Sequence, residues 1–258
     1  MLQVQPVRAF ADNYVWLIHA PSRPTAVAVV DPGDAAPVIR QLQASGLTLA
    51  AILLTHHHPD HIGGVAELLR SAVVPVIGPE DARIPFLTQT AHDNDTIDLP
   101  ALGLAFKTLQ IPGHTLSHIA FWGHGSLFCG DTLFSAGCGR TFEGSAQQMN
   151  TSLERLRALP PDTKVYCGHE YTAANLRFAL AVEPENEAAR AYQETVMQLR
   201  ARDMPTLPSD LALETQINPF LRCDTARVRQ AAEKHAGAPL AAAADGFGVL
   251  RAWKDNFR

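Results

Sequence analysis

Long apolar runs are missing from this 258-residue chain: no stretch approaches the roughly 20 residues that a membrane-spanning helix needs. The start, Met1-Leu2-Gln3-Val4-Gln5-Pro6, does not read as a signal peptide, so a cytoplasmic protein with no membrane partner is expected. Cysteine is scarce and unpatterned. Its four copies have no regular spacing, which excludes a disulfide framework. Cys129 and Cys167 fall in predicted strands and read as small reduced core residues, whereas Cys138, between two glycines, reads as a more exposed turn residue. An excess of positive charge is also missing. The net charge of −5 argues against a nucleic-acid partner. No internal repeat is found, and no flexible linker.

What is present suits a globular chain. With 47% hydrophobic and 18% charged residues it can bury a core, and its length allows one large domain or two modest ones. The acid is unevenly spread. Through Glu170 there are 10 basic against 15 acidic residues; from Tyr171 onward, 11 against 11. Bound cations would offset the acidic first part, and the neutral second part can spare basic side chains for an anionic ligand.

Residues 2–9, 13–20 and 26–31 read as short strands, with turn signals at Asp12-Asn13 and Pro21-Ser22-Arg23-Pro24. Asp34 can cap a helix over 35–45. Asp31 is either a carboxylate supporting nearby ligands or a plain turn residue. The continuous apolar run 49–54 suits a doubly buried strand, and 62–70 carries the apolar stripe of a helix. A short strand at 73–77, strands near 97–111, 117–122 and 126–130, a helix over 146–158 and a strand ending at His169 follow. From Tyr171 the character is helical, with candidates at 172–182, 186–202 and 224–235 punctuated by prolines. An alanine-rich stretch, 236–244, precedes the C-terminal segment. The periodicity shows mixed α/β followed by helix, with a boundary near residue 170.

Between the buried strand and its helix lies Thr55-His56-His57-His58-Pro59-Asp60-His61, which holds four candidate metal ligands in the pattern T-H-x-H-x-D-H. The loop is at the carboxyl end of a strand, where α/β sheets place their sites. Strand alternation puts His56 and His58 on one side and turns His57 away; Asp60 and His61 point differently and can serve a second ion. A surface histidine tract would expect a terminal, polar setting, and this one is internal. Three further stretches, 109–114, 126–131 and 164–169, each end a mostly apolar run with Gly and then a ligand type: His114, Asp131 and His169. Glycine there permits a sharp strand exit and close backbone approach. Imidazoles and carboxylates suit zinc, iron or manganese, so ligand type leaves the metal open.

The ordered set His56, His58, Asp60, His61, His114, Asp131 and His169 resembles the metallo-β-lactamase superfamily. Within it, Asp12-Asn13-Tyr14, Gly130-Asp131-Thr132-Leu133-Phe134, Gly137-Cys138-Gly139-Arg140, Gly168-His169-Glu170-Tyr171-Thr172 and Arg251-x-x-Lys254-Asp255 resemble the glyoxalase II family, the hydroxyacylglutathione hydrolases. The match runs over essentially the whole chain. The first motif marks only the superfamily; the later ones narrow it to this branch.

The resemblance implies an αββα metallo-β-lactamase-like sandwich over residues 1–170, carrying the metals, then a smaller helical domain over 171–258 that contributes glutathione binding. It implies two divalent ions, with zinc expected ahead of iron or manganese. His56, His58 and His114 would hold one, Asp60, His61 and His169 the other, and Asp131 would bridge them. Asp60 and Asp131 would act catalytically through the activated water held between the ions. The reaction implied is hydrolysis of S-D-lactoylglutathione and related 2-hydroxyacyl thioesters to glutathione and D-lactate, the second step of methylglyoxal detoxification. Arg140, Thr141, Phe142, Tyr171, Arg251 and Lys254 would bind the anionic tripeptide. Where the family often has tyrosine, this chain has Phe142, which loses a hydroxyl contact. A monomer with a small-molecule substrate is expected. The other readings are a single-iron persulfide dioxygenase of the superfamily, which would consume oxygen, and a non-catalytic metal-binding protein, which any thioester turnover would eliminate.

Overall fold

Two lengths of chain with opposite character build this protein, and the computed structural model describes both over residues 2–20 and 23–257. Six strands form the first sheet: β1 (Gln3–Ala9), β2 (Asn13–Ala20), β3 (Arg23–Val30), β4 (Thr48–Leu53), β5 (Val76–Gly78) and β6 (Gln89–Thr90), in that spatial order. The β1–β2–β3 pairs are antiparallel, and β3 through β6 run parallel. Parallel pairing needs crossovers. The first is α1 (Ala35–Ser45), capped by Asp34 as the sequence predicts and ended by Gly46 at φ 62°. The expected turn at 21–24 is in part strand, since Arg23 and Pro24 open β3 at its exposed end; Pro21 and Ser22 lie outside the described residues.

The predicted helix 62–70 is two pieces, α2 (Pro59–Ile62) and α3 (Val65–Ser71). The Gly63-Gly64 break packs against a neighbouring loop: a Cβ on Gly64 would sit 2.6 Å from the Pro32 carbonyl oxygen. The strand expected over 97–111 is a hairpin, β7 (Thr96–Leu99) and β8 (Leu104–Gln110), followed by β9 (Ile119–Gly123) and β10 (Ser126–Gly130) in the order β10-β9-β8-β7.

One face of the first sheet buries Val15, Leu17, Val27, Val29 and Ile52 against Val38 and Leu42 of α1 and Val65 and Leu68 of α3. The alternate residues Trp16, Ile18, Ala28, Val30 and Leu53 are equally buried, so both faces are covered and the sheet is an inner layer. Strands β7–β10 and all elements before them form one compact unit, apart from 111–116.

The second compact unit is Ile111–Leu116 with Asp131 onward. It begins with a hairpin, β11 (Leu133–Phe134) and β12 (Gly137–Cys138). Then come α4 (Ala146–Arg157) with a Ser145–Gln148 capping box, β13 (Lys164–Cys167), α5 (Thr172–Val182) and α6 (Glu187–Ala201). β14 (Ser209–Asp210) pairs antiparallel with β13, and Asp210 caps α7 (Leu211–Ile217). Last are α8 (Ala226–Ala236) and α9 (Ala243–Asp255). Neither α7 nor α9 is expected from the sequence. Gly246 and Gly248 weaken the local helix signal of α9, and burial of Gly246, Phe247, Leu250 and Arg251 along one face overrides it. Cys138 corrects an expectation: it is a buried strand residue, not an exposed turn, and burial pushes its thiol up to about 11. Among the described residues no helix is long and apolar enough to cross a membrane.

Candidate metal centre

β4 ends in Leu54, and the chain turns into the histidine loop under control of one carboxylate. Asp31, itself buried, accepts from Thr55 N (2.8 Å) and Thr55 Oγ1 (2.7 Å) and lies 3.1 Å from His61 Nδ1. Asp31 therefore braces the histidine loop and is more than a plain turn residue. Because Thr55 spends its hydroxyl proton on Asp31, its oxygen must accept from His56 Nδ1, 3.0 Å away. Both imidazoles therefore carry the proton on Nδ1, which makes Nε2 the acceptor nitrogen. This is the arrangement by which ligating histidines are oriented through their second nitrogen. Both rings are buried, and His118, which no sequence motif singles out, stacks on His56 at 4.5 Å.

The Nε2 of His56 lies 3.1 Å from His58 Nδ1, and His61 Nε2 lies 3.5 Å from Asp60 Oδ2. Asn13 Nδ2 donates to the same Asp60 oxygen at 3.0 Å. His57 points elsewhere, 3.5 Å from Asp81, as strand alternation predicts. Asp81 is gripped by Arg83 and Ser117, and the Arg83 guanidinium holds its carboxyl well below the usual carboxylate range. These braces for the loop are distant in sequence and carry no local signal.

The second unit brings together His114, Asp131 and His169. His114 Nδ1 donates to the Arg140 carbonyl at 2.8 Å, leaving its Nε2 3.6 Å from Asp131 Oδ2; His169 Nε2 is 3.2 Å from that same oxygen. Tyr171 stacks on His169 with ring planes 3° apart and centroids at 4.7 Å. Asp131 and His114 line a cavity of about 460 Å³ together with Arg140, Phe142, Tyr171 and Lys254. Phe142 is exposed and meets His114 edge-on at 5.2 Å, and Thr141 is half-buried beside it.

The basic residues differ in use. Arg140 is exposed and 3.4 Å from Asp255. Arg251 is buried in the cavity wall, where it donates to the Cys138 carbonyl (2.9 Å) and to Asp255 (3.0 Å). Lys254 donates to the Ala174 carbonyl at 3.2 Å and lies over the Phe178 ring. Burial, then the Arg251 and Arg177 charges, lower its pKa to about 8.

The donor sets fit divalent ions. Two ligand atoms on one tetrahedral ion at about 2.0–2.1 Å lie roughly 3.3 Å apart. The spacings within each unit run from 3.1 to 3.6 Å. The donors are nitrogens and carboxylate oxygens, with three histidines held in the tautomer that puts the lone pair on Nε2.

Comparison with known proteins agrees along the whole chain. Residues 10–169 match the family model described as the metallo-beta-lactamase superfamily, and 170–257 match the one described as the hydroxyacylglutathione hydrolase C-terminus. Curated proteins named hydroxyacylglutathione hydrolase are similar over their full lengths: that of Pseudomonas fluorescens is 52% identical and that of Nitrosomonas eutropha 47%, each with 100% of both chains covered. Among solved structures, TTHA1623 in a di-iron-bound form is similar at a TM-score of 0.60 and 25% identity, over 84% of this chain and 99% of that one.

Proposed function

Since the chain belongs to the hydroxyacylglutathione hydrolases of the metallo-β-lactamase superfamily, we propose roles for its residues in that family's reaction. The reaction is hydrolysis of the thioester of an S-(2-hydroxyacyl)glutathione, in the methylglyoxal pathway. His56, His58 and His114 would hold one divalent ion, Asp60, His61 and His169 a second, and Asp131 would serve both. Zinc is the metal this set suits best; the solved relative with two irons keeps iron in play. When bound, such ions supply a nucleophile at neutral pH and a Lewis acid for the carbonyl. The observation that carries the reading is Asp131 Oδ2, which stands within 3.6 Å of His114 Nε2 and 3.2 Å of His169 Nε2.

The chain's own contribution is orientation and charge. Asp31, Thr55 and the Arg140 carbonyl fix the ligating rings. Arg140 and Lys254 attract the carboxylates of glutathione, Tyr171 and Phe142 pack its backbone, and Thr141 joins Arg140 to Phe142 along the chain. Arg251 acts on the same wall through Cys138 and Asp255. The departing thiolate is a good leaving group and needs little acid help. Residues 1–170 carry the chemistry and 171–258 complete the substrate site, in a cytoplasmic monomer.

Metal analysis of the purified protein beside a hydrolysis assay on S-lactoylglutathione tests this. Two equivalents of metal and rapid turnover are expected. One iron with oxygen uptake, or metal with no turnover, would overturn it.

A further inference from the structure

The tip of the β11–β12 hairpin is gripped by side chains of the helices that follow it. Ala136 sits there at φ 54°, a left-handed conformation that strains a residue with a Cβ. Its N–H donates to Glu214 Oε2 at 2.8 Å. Asn218 Nδ2 donates to the carbonyls of Phe134 (3.1 Å) and Gly137 (2.9 Å) and also reaches Glu214 Oε2 at 3.1 Å. Asn175 Nδ2 donates to the Ser135 carbonyl at 3.0 Å. Glu214 and Asn218 are wholly buried and Asn175 nearly so. The other carboxyl oxygen of Glu214 lies buried beside the Ser135 and Ser209 hydroxyls.

A carboxyl this deep cannot touch substrate, and burying one is costly. What it holds is informative. β11 starts two residues after Asp131, and β12 runs directly into Gly139 and Arg140. Gly139 N donates to the Thr132 carbonyl at 3.2 Å, and a Cβ on Gly139 would lie 1.9 Å from the Asp131 carbonyl oxygen. The next carbonyl, that of Arg140, is the one that orients His114. One arm of the hairpin thus bears Asp131, and the other bears the acceptor for a second ligand.

We propose that Glu214, with Asn218 and Asn175, is a positioning residue for hydrolysis: by fixing the hairpin tip it sets where Asp131 and the Arg140 carbonyl stand, and through them metal affinity and kcat. This rests on the ligand roles proposed above for Asp131 and His114. It assigns the helical region an effect on the chemical step as well as on glutathione affinity. Burial, the largest influence, pushes the Glu214 carboxyl up towards its neutral form, so glutamine is a close replacement.

The test compares Glu214→Ala and Glu214→Gln with the parent by elemental analysis, chelator competition and steady-state kinetics on S-lactoylglutathione, with circular dichroism reporting the fold. Supporting residues behind metal ligands typically contribute about 10- to 100-fold in affinity or activity. Glu214→Ala should lose metal affinity and kcat on that scale with little change in KM, and Glu214→Gln should restore both. A folded Glu214→Ala that holds its metals as tightly as the parent overturns the proposal, and so does a glutamine variant as impaired as alanine. If Glu214→Ala does not fold, Asn175→Ala, which removes only the bond to Ser135, is read in the same way. It should lose metal affinity several-fold, and parental affinity overturns the proposal. A parent that binds no metal refutes the ligand assignment itself and takes this inference with it.

Discussion

At the scale of single residues, charge placement matters more than charge count. Lys254 lies among Arg251, Arg177, Asp255 and Cys138, and burial with the two arginines lowers its pKa to about 8. In the role proposed for it, below that value it is an ammonium that would attract a substrate carboxylate; above it, a neutral amine that would not. Affinity should therefore be lost as pH rises through about 8. A hydrogen bond to a charged group contributes about 1.5–3 kcal/mol, and solvent screening at a partly exposed site reduces it, so a rise in KM of roughly three- to tenfold between pH 7 and 9 is expected. Lys254→Gln should start at the higher KM and stay flat. A parental KM that does not change over that range would show that Lys254 does not meet the substrate. The ligands proposed in the histidine loop are candidates from the sequence onward, because so many ligand types at short spacing behind a buried strand seldom serve packing alone. The place of Asp31 is not legible, because a carboxylate before Pro-Gly can close a turn or brace a distant loop, and only its contacts with Thr55 and His61 decide between them.

At the scale of elements, the glycines that end strands are where sequence and packing meet. Gly130 closes β10 at φ 48°, and a Cβ there would stand 2.2 Å from Thr55 Oγ1, the atom that orients His56. Alanine at that position adds left-handed strain of about 1–2 kcal/mol and an overpacking cost of about 1–3 kcal/mol. Gly130→Ala should lower Tm by roughly 5–10 °C in scanning calorimetry, and displaced Thr55 should weaken metal binding as well. An unchanged Tm would mean that the strand exit is freer than its geometry indicates. Helices α1, α4, α5 and α6 lie where apolar periodicity and capping residues put them. α9 and the β11–β12 hairpin do not announce themselves, since α9 carries two glycines and the hairpin strands are two residues each.

At the scale of the whole molecule, metal binding and folding are linked. The rings proposed as ligands are already held by Asp31, Thr55 and the Arg140 carbonyl, so removal of metal should cost stability without dissolving the fold. A ligand that binds only the native state at a hundred times its Kd contributes about 2.7 kcal/mol. Chelation should then lower Tm by roughly 5–10 °C while leaving the circular dichroism spectrum at room temperature unchanged, and added zinc should restore it. Loss of secondary structure on chelation would show that the ions, and not these hydrogen bonds, build the loop.

The sequence by itself determined the order of strands and helices over most of the chain, the candidate ligands proposed here, and the family, because each is written in short spacings: alternation along a strand, an apolar stripe on a helix, histidines two residues apart. Tertiary structure alone decided which polar groups answer one another when water is excluded. Asp31 beneath the histidine loop, Arg251 turned into the wall against Cys138, and Glu214 beneath the Ala136 turn are 24 to 113 residues from the partners they hold. No local pattern encodes such pairings. They follow from burial, which makes an unanswered donor or acceptor expensive and so forces distant residues to supply one another.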